Sequence, residues 1–307
     1  MDGAGLEVHR HLVAAPRPED PAEDGPGGPL GEGRTLVVRS AYNAYRALRS
    51  GVLFLVGPVD AALRARAGRP DRPPLYLRRH TGALGSYDSA VRDTLRLIDG
   101  LGLVRPSDRV LDVGCGPGAM VSGLLDRIGP EGSYVGFDVH RPSVEWCRRR
   151  HARDLRCRFE LARLDSPYAT LRGRPVEQYS FPVADGAADF VLAKSVFTHL
   201  LPAEAKRYLE EIRRALSPGR PAMITGFLFA ADGRTGMGRS RYFTCADPAG
   251  RYRWRSPLRP RSAVAYERGW FERMVEEAGL RVQWLSPGFF PGDAESLAGQ
   301  DVLILGH

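Results

Sequence analysis

Lysine is nearly absent from the chain, which has two (Lys194 and Lys206) among its 307 residues. The remaining 42 of its 44 basic residues are arginine, and the formal net charge is +8. A surplus of this size would suit nucleic acid or an anionic surface. Because alanine, glycine and proline are abundant as well, we interpret the arginine excess as a coding bias. We therefore expect that nucleic acid is not the partner.

Cysteine is also scarce, and the four present show neither a CxxC nor zinc spacing (Cys115, Cys147, Cys157 and Cys245). We expect free thiols in a reducing cytoplasm. No His/Asp/Glu set has ligand spacing, so we predict no metal. Long apolar runs are missing too: the nearest, Val52–Val59, is far below the about 18–20 residues that cross a bilayer. With no signal-peptide pattern at the N-terminus, the sequence predicts a cytoplasmic protein without a membrane partner.

Composition divides the chain into three predicted regions. Residues 1–33 hold five prolines and seven glycines with almost no apolar periodicity, which predicts a disordered leader. Residues 34–102 predict an N-terminal helical extension that includes a helix at Ser86–Leu101. Residues 103–307 alternate short apolar strands with amphipathic helices. This alternation predicts an α/β domain with a doubly wound, mostly parallel sheet.

The strands and helices of the third region are predicted from apolar runs and from helical spacing. The predicted strands are Arg109–Val113, Ser133–Val139, Arg158–Leu164, Phe190–Val196, Ala222–Phe229, Leu280–Leu285 and Asp301–Leu305. The predicted helices are Pro117–Ile128, Pro142–His151, Pro202–Leu216 and Trp270–Ala278.

A glycine-rich turn follows the first of these strands. Gly114, Gly116 and Gly118 stand at alternate positions between the strand and the next helix. Glycine permits a tight turn there and a close approach of the backbone to a ligand. Asp138 ends the second strand, where an open α/β sheet places an acid against the hydroxyls of a ribose. The two features together predict a cofactor that contains a nucleoside.

The glycine pattern alone fits two cofactors. Gly114, Gly116 and Ala119 satisfy the G-x-G-x-x-G/A fingerprint of nicotinamide dinucleotides. However, the segment Arg109-Val-Leu-Asp-Val-Gly-Cys-Gly-Pro-Gly118 also resembles the first motif of class I S-adenosylmethionine (SAM) dependent methyltransferases. Its form is an aliphatic pair, an acid, an aliphatic residue and then G-x-G-x-G. Three later blocks resemble the same family in the same order: Phe137–Val139, Phe181–Val191 and Leu216–Gly219.

The resemblance implies the class I methyltransferase fold with extra N-terminal helices, enzymatic activity and SAM as the cofactor. It places Gly114, Gly116 and Gly118 under the amino-acid part of SAM, with Asp112 and Cys115 close by. An oxidoreductase linked to NAD or NADP stays the alternative for the same turn.

The resemblance also implies contacts to the nucleoside part of SAM. Asp138 would bind the ribose and Val139 would pack on the adenine. Asp165 would accept from the adenine amino group, with Arg163 as the alternative alignment.

Three further residues are expected near the cofactor. Lys194 and Ser195, just after the fourth predicted strand, would line the cofactor or shape their loop. Tyr87, in the N-terminal helices, would contact the cofactor as part of a lid.

His199 is the candidate catalytic residue. Methyl transfer needs an in-line approach of the acceptor, and a base is required only if the acceptor atom must lose a proton. His199 lies just beyond the fourth strand, whose carboxyl end faces the cofactor in this fold. Imidazole suits a general base near neutral pH. The alternative is a histidine that caps or packs the helix Pro202–Leu216.

Residues 230–266 form a long insertion in which arginines and aromatic residues alternate. We prefer the interpretation as a lid over an acceptor with a carboxylate or phosphate. A solvated loop is the second interpretation and a nucleic-acid patch the third. The predicted reaction is methyl transfer to an O or N atom of a small molecule, as in biosynthesis of specialised metabolites. RNA or protein methylation is the alternative, and the assembly stays open, a homodimer included.

Overall fold

A computed structural model describes residues 55–69, 72–78, 87–169, 173–231, 242–288 and 299–307. The predicted leader, residues 1–33, lies outside these ranges, and so does much of the helical extension before residue 55.

A seven-stranded sheet forms the centre of the fold, in the order β10-β11-β5-β4-β1-β2-β3. These strands are β1 (Arg109–Val113), β2 (Ser133–Asp138), β3 (Cys157–Leu161), β4 (Phe190–Ala193), β5 (Ala222–Gly226), β10 (Arg281–Ser286) and β11 (Asp301–Gly306). β1 to β5 pair in parallel, whereas β11 runs antiparallel to both of its neighbours. All residues of β4 and β5 are buried, as continuous apolar runs predict for strands covered on both faces.

Helices cover both faces of this sheet. The described α-helices are α1 (Gly57–Arg66), α2 (Leu75–Arg78), α3 (Tyr87–Gly100), α4 (Val121–Leu125), α5 (Arg141–Arg150), α6 (Pro202–Ala215) and α7 (Arg268–Glu277). One apolar cluster joins α6 and α7 to the sheet, with Leu209 and Phe271 buried in it. A second cluster joins α3, α4 and α5, with Ile98 and Leu124 buried in it. The prediction of a doubly wound, mostly parallel sheet with N-terminal helices is confirmed.

A second sheet, which the sequence did not predict, lies in the inserted region. Its four strands, in the order β6-β9-β8-β7, are β6 (Leu228–Phe229), β7 (Cys245–Ala246), β8 (Tyr252–Trp254) and β9 (Val264–Glu267). The predicted single strand Ala222–Phe229 is therefore two: β5 pairs within the central sheet, whereas β6 pairs with β9. Arg239 and Arg241 of the insertion lie outside the described residues.

Two predicted elements are shorter than expected. The predicted helix Pro117–Ile128 shortens to α4, because Gly118 has a φ of 80°, a left-handed conformation that α-helix excludes. The predicted strand Phe190–Val196 stops at Ala193, and Ser195 has a φ of 59°. Both interruptions fall at the carboxyl edge of the sheet.

None of the helices within the described ranges is long and apolar enough to span a bilayer.

Candidate active site

The glycine turn is a left-handed backbone segment between β1 and α4. Gly114, Gly116 and Gly118 all have positive φ, at 68°, 53° and 80°. A Cβ on Gly114 would lie 2.6 Å from Cγ2 of Val196, and one on Gly118 would lie 2.9 Å from Sγ of Cys147. Side chains at these two glycines would therefore be both strained and obstructed.

Asp138, at the end of β2, is tied to the same turn. Its Oδ2 accepts from the backbone N–H of Gly116 at 2.8 Å, and its Oδ1 accepts from that of His140 at 2.7 Å. Burial raises the pKa of Asp138, and these two hydrogen bonds oppose the rise. Because each carboxylate oxygen can accept more than one hydrogen bond, both retain acceptor capacity for hydroxyl groups. Val139 follows Asp138 and packs against the core cluster of α6 and α7.

Asp112 is buried on β1 beneath the turn. The hydroxyl of Tyr134 donates to its Oδ2 at 2.6 Å. The pKa of Asp112 is raised to about 7, mainly by burial. The hydrogen bond from Tyr134 opposes the rise, the charge of Asp138 adds to it, and the charge of Lys194 lowers the pKa. Sequence reasoning missed Tyr134, which reaches Asp112 because β1 and β2 pair in the register Asp112↔Gly136.

Cys115 is buried within the turn, and Cys147 on α5 faces it. The thiols of both cysteines contact the backbone oxygen of Gly116, at 3.7 Å and 3.6 Å. The N–H of Cys115 donates to the backbone oxygen of Phe137 at 3.0 Å. These contacts join the turn to β2 and α5.

The loop after β4 packs on the turn through Val196. Ser195 is held by its backbone N–H, which donates to Thr225 Oγ1 at 2.7 Å, and by its hydroxyl, which donates to Gln300 at 3.1 Å. Left-handed φ in a non-glycine residue is strained, so these partners hold the loop in place. The contacts favour the loop-shaping alternative for Ser195. Lys194 lies near enough to Asp112 to favour its ionised form.

His199 lies in a short 3₁₀ turn at the end of this loop. Its Nδ1 lies 3.1 Å from the backbone oxygen of Arg261 and 3.1 Å from the hydroxyl of Tyr168. Since a carbonyl oxygen can only accept, the contact with Arg261 places the imidazole proton on Nδ1 and leaves the lone pair on Nε2. Burial lowers the pKa of His199, and the hydrogen bonds of the ring with the backbone of Arg261 and Ser262 oppose the decrease. The lowered pKa favours the neutral imidazole.

Two predicted cofactor contacts, Tyr87 and Asp165, are not part of the glycine turn. Tyr87 is buried at the start of α3, with the guanidinium of Arg72 5.6 Å from its ring centroid. The side chain of Asp165 is 70% exposed and lies 3.7 Å from the guanidinium of Arg261, on the side of His199. Their roles in cofactor binding stay predictions. Within the described ranges, no three His, Cys, Asp or Glu side chains cluster as a metal site.

Residues 110–219 match a family described as "Methyltransferase domain". This match decides between the two cofactors that the glycine spacing leaves open. Residues 110–219 therefore form a methyltransferase domain. SAM is its cofactor.

Curated relatives of this methyltransferase domain align over part of their length. The chain is 31% identical over 140 residues to an uncharacterized 37.1 kDa protein in transposon TN4556 of Streptomyces fradiae (45% of this chain, 34% of that protein). It is 32% identical over 117 residues to phthiotriol/phenolphthiotriol dimycocerosates methyltransferase 1 of Mycobacterium ulcerans (38% of this chain, 36% of that protein). The chain thus spans about a third of the length of these relatives.

A solved structure is also similar to the methyltransferase domain. It is that of a TehB-like SAM-dependent methyltransferase from Corynebacterium glutamicum, with a TM-score of 0.44 and 16% identity. The match covers 70% of this chain and 86% of that chain.

Proposed function

We propose that the protein transfers a methyl group from SAM to an O or N atom of a small-molecule acceptor, with His199 as general base. The observation that carries this proposal is the hydrogen bonding of His199: its Nδ1 lies 3.1 Å from the backbone oxygen of Arg261, an acceptor, which leaves Nε2 to accept a proton. Such a group serves acceptors that must lose a proton, which oxygen and nitrogen nucleophiles do.

The residues at the carboxyl edge of β1 and β2 fit SAM. The three left-handed glycines leave the backbone free of Cβ atoms, and Asp138 has acceptor capacity for the ribose hydroxyls. Gly116 and Asp112 would face the amino-acid part of SAM, and Val139 the adenine. When bound, SAM supplies an electrophilic methyl group on a sulfonium.

The chain's own residues would then orient the acceptor, exclude water and accept its proton. The loop from Lys194 to His199 packs on the glycine turn through Val196, and His199 stands three residues after Val196 in the sequence. Tyr168 contacts the imidazole edge-on, with ring centroids 4.9 Å apart, and restricts its rotation. A base held in one orientation needs little reorganisation when it accepts a proton.

A small-molecule acceptor is supported by a relative. The Mycobacterium ulcerans protein is named phthiotriol/phenolphthiotriol dimycocerosates methyltransferase 1, a name that refers to neither RNA nor protein as the acceptor. By analogy we assign the present chain to biosynthesis of specialised metabolites.

The test is an acceptor screen with radiolabelled SAM, using small molecules that carry hydroxyl or amino groups, and RNA and protein in parallel. We expect turnover of small molecules and a loss of about 100-fold or more in kcat for His199→Gln, the usual contribution of a general base. Methyl transfer to RNA or protein alone would contradict the proposal. Full activity in His199→Gln would show that His199 is not the general base.

A further inference from the structure

A cavity of about 680 Å³ lies between α1 and α2, outside the cofactor site. Its volume is within the range of small-molecule sites, about 300–1,000 Å³. One side of its lining is apolar, with Val56 just before α1 and Val59 and Leu63 on it. The other side is charged and contains four arginines, which are Arg64, Arg69, Arg72 and Arg78.

Among the described residues, the positive charges at the cavity outnumber the negative ones. Asp60 lines the cavity and pairs with two of the arginines, Arg64 at 2.9 Å and Arg78. Asp88 pairs with the other two, at 3.4 Å and 2.9 Å. Within the described ranges, each carboxylate is thus shared between two guanidinium groups. An anion with two or more oxygens matches the paired hydrogen-bond donors of a guanidinium group.

The pKa of Arg78 shows the effect of this crowding. Burial lowers it most, Asp60 opposes the decrease, and the positive charges of Arg72 and Arg64 lower it further. A bound anion would offset the repulsion among these guanidinium groups.

The apolar side of the cavity is open to solvent. Val59 and Leu63 are four residues apart on one face of α1, and each is 62% exposed. Four of the six large hydrophobic residues exposed within the described ranges lie at or next to α1, the others being Leu155 and Tyr242. Exposed apolar residues concentrated beside a polar rim mark binding surfaces.

Two aromatic residues, on α3 and α5, contact arginines of the cavity lining. Arg72 lies 5.6 Å from the ring centroid of Tyr87, and Arg64 lies 5.8 Å from that of Trp146. Trp146 directly precedes Cys147, whose thiol contacts the backbone oxygen of Gly116 in the glycine turn.

We propose that this cavity binds the anionic end of the methyl acceptor, an amphipathic molecule with a carboxylate or phosphate attached to an apolar chain or ring. The arginines take the charged group, and the exposed face of α1 takes the apolar part. The role as acceptor site rests on the proposed methyltransferase function, whereas the binding site is testable by itself.

The test is calorimetric titration of the full chain with octyl phosphate and octanoate, below their micelle concentrations and at fixed ionic strength. Inorganic phosphate and octanol are the comparison probes, since each has one half of the recognised chemistry. We expect the two amphipathic anions to bind at least tenfold more tightly than either comparison probe. If inorganic phosphate binds as tightly as octyl phosphate, the apolar residues do not contribute to binding. If octanol binds as tightly as octyl phosphate, the arginines do not contribute, and either result would overturn the proposal.

Two variants of lining residues test whether the binding occurs in this cavity. Arg72→Gln and Leu63→Ser should each weaken octyl phosphate binding by about tenfold or more. Arg149→Gln and Leu155→Ser, at exposed positions at or after the end of α5, are matched controls that should leave it unchanged. Because Leu63 is exposed, Leu63→Ser should fold even if Arg72→Gln does not. The same loss in the controls, or none in the cavity variants, would overturn the proposal.

S-adenosylhomocysteine (SAH) titrated into the same samples separates the two proposals. Binding of SAH without binding of either anion refutes the cavity proposal alone. Binding of octyl phosphate without SAH refutes the methyltransferase proposal and the acceptor role with it.

Discussion

Binding of SAH should release a proton from Asp112. The carboxyl is buried on β1, accepts from Tyr134 at 2.6 Å, and has its pKa raised to about 7, mainly by burial. Half of the free protein therefore carries a neutral Asp112 at pH 7. The ammonium group of SAH, which the family resemblance places beside Asp112, would favour the carboxylate. Binding then requires the proton to leave.

The size of the effect follows from the pKa. If Asp112 is fully ionised in the complex, binding releases about 0.9 proton at pH 6, about 0.5 at pH 7 and about 0.1 at pH 8. The same equilibrium weakens SAH binding about tenfold from pH 8 to pH 6, which is about 1.4 kcal/mol. The sign is fixed because the pKa of the carboxyl is higher in the free protein than in the complex.

The assay is calorimetry in buffers of different ionisation enthalpy, because the slope of the observed enthalpy gives the number of protons released. Asp112→Asn, which cannot ionise, should show neither proton release nor pH dependence. Tyr134→Phe removes the hydrogen bond that lowers the pKa, so it should release more protons at pH 7 than the wild type. Affinity that is constant from pH 6 to pH 8, with no proton released, would refute the reasoning.

Three other predictions follow from the same geometry. The pKa of His199 is lowered by burial, so the acid limb of the kcat profile should lie below pH 6.5 and disappear in His199→Gln; a limb above pH 6.5 would contradict this. Gly114 has a φ of 68°, and a Cβ there would lie 2.6 Å from Val196, so Gly114→Ala should lower the free energy of unfolding by about 1–3 kcal/mol and weaken SAH binding. The control is Gly186→Ala, also at positive φ but with no atom near the added Cβ, which should leave SAH binding intact. Arg109 lowers the pKa of Asp189 to about 2, so Asp189→Asn should reduce the free energy of unfolding, measured by chemical denaturation, by about 1 kcal/mol at pH 6. This difference should vanish as the pH falls from 4 to 2, and a difference that persists at pH 2 would refute the ion-pair account.

The central sheet and the glycine turn could be predicted because their causes are local in sequence. β1 is an apolar run that ends in glycines, and the structure gives it the predicted bounds, Arg109–Val113. The contact of Asp138 with Gly116 joins residues 22 positions apart, yet parallel pairing of β1 and β2 brings both to one edge. Sequence spacing was sufficient for this part of the site.

The remainder depends on contacts that no local pattern encodes. Tyr168 and Arg261 meet His199 from 31 and 62 positions away. The second sheet is built from strands of two to four residues, too short for alternation of apolar and polar side chains to be recognised. The cavity between α1 and α2 arises from packing of the two helices. Its arginines could not be distinguished in sequence from the chain's many others.

Titration of the purified protein with SAH, with NAD and NADP in parallel, tests the central claim most directly. We predict micromolar binding of SAH, no binding of either nicotinamide cofactor, and at least tenfold weaker SAH binding in Asp138→Asn, which keeps the side-chain shape and loses the charge. Circular dichroism should show that the variant is folded. Binding of a nicotinamide cofactor in place of SAH, or equal affinity of a folded Asp138→Asn, would contradict the account.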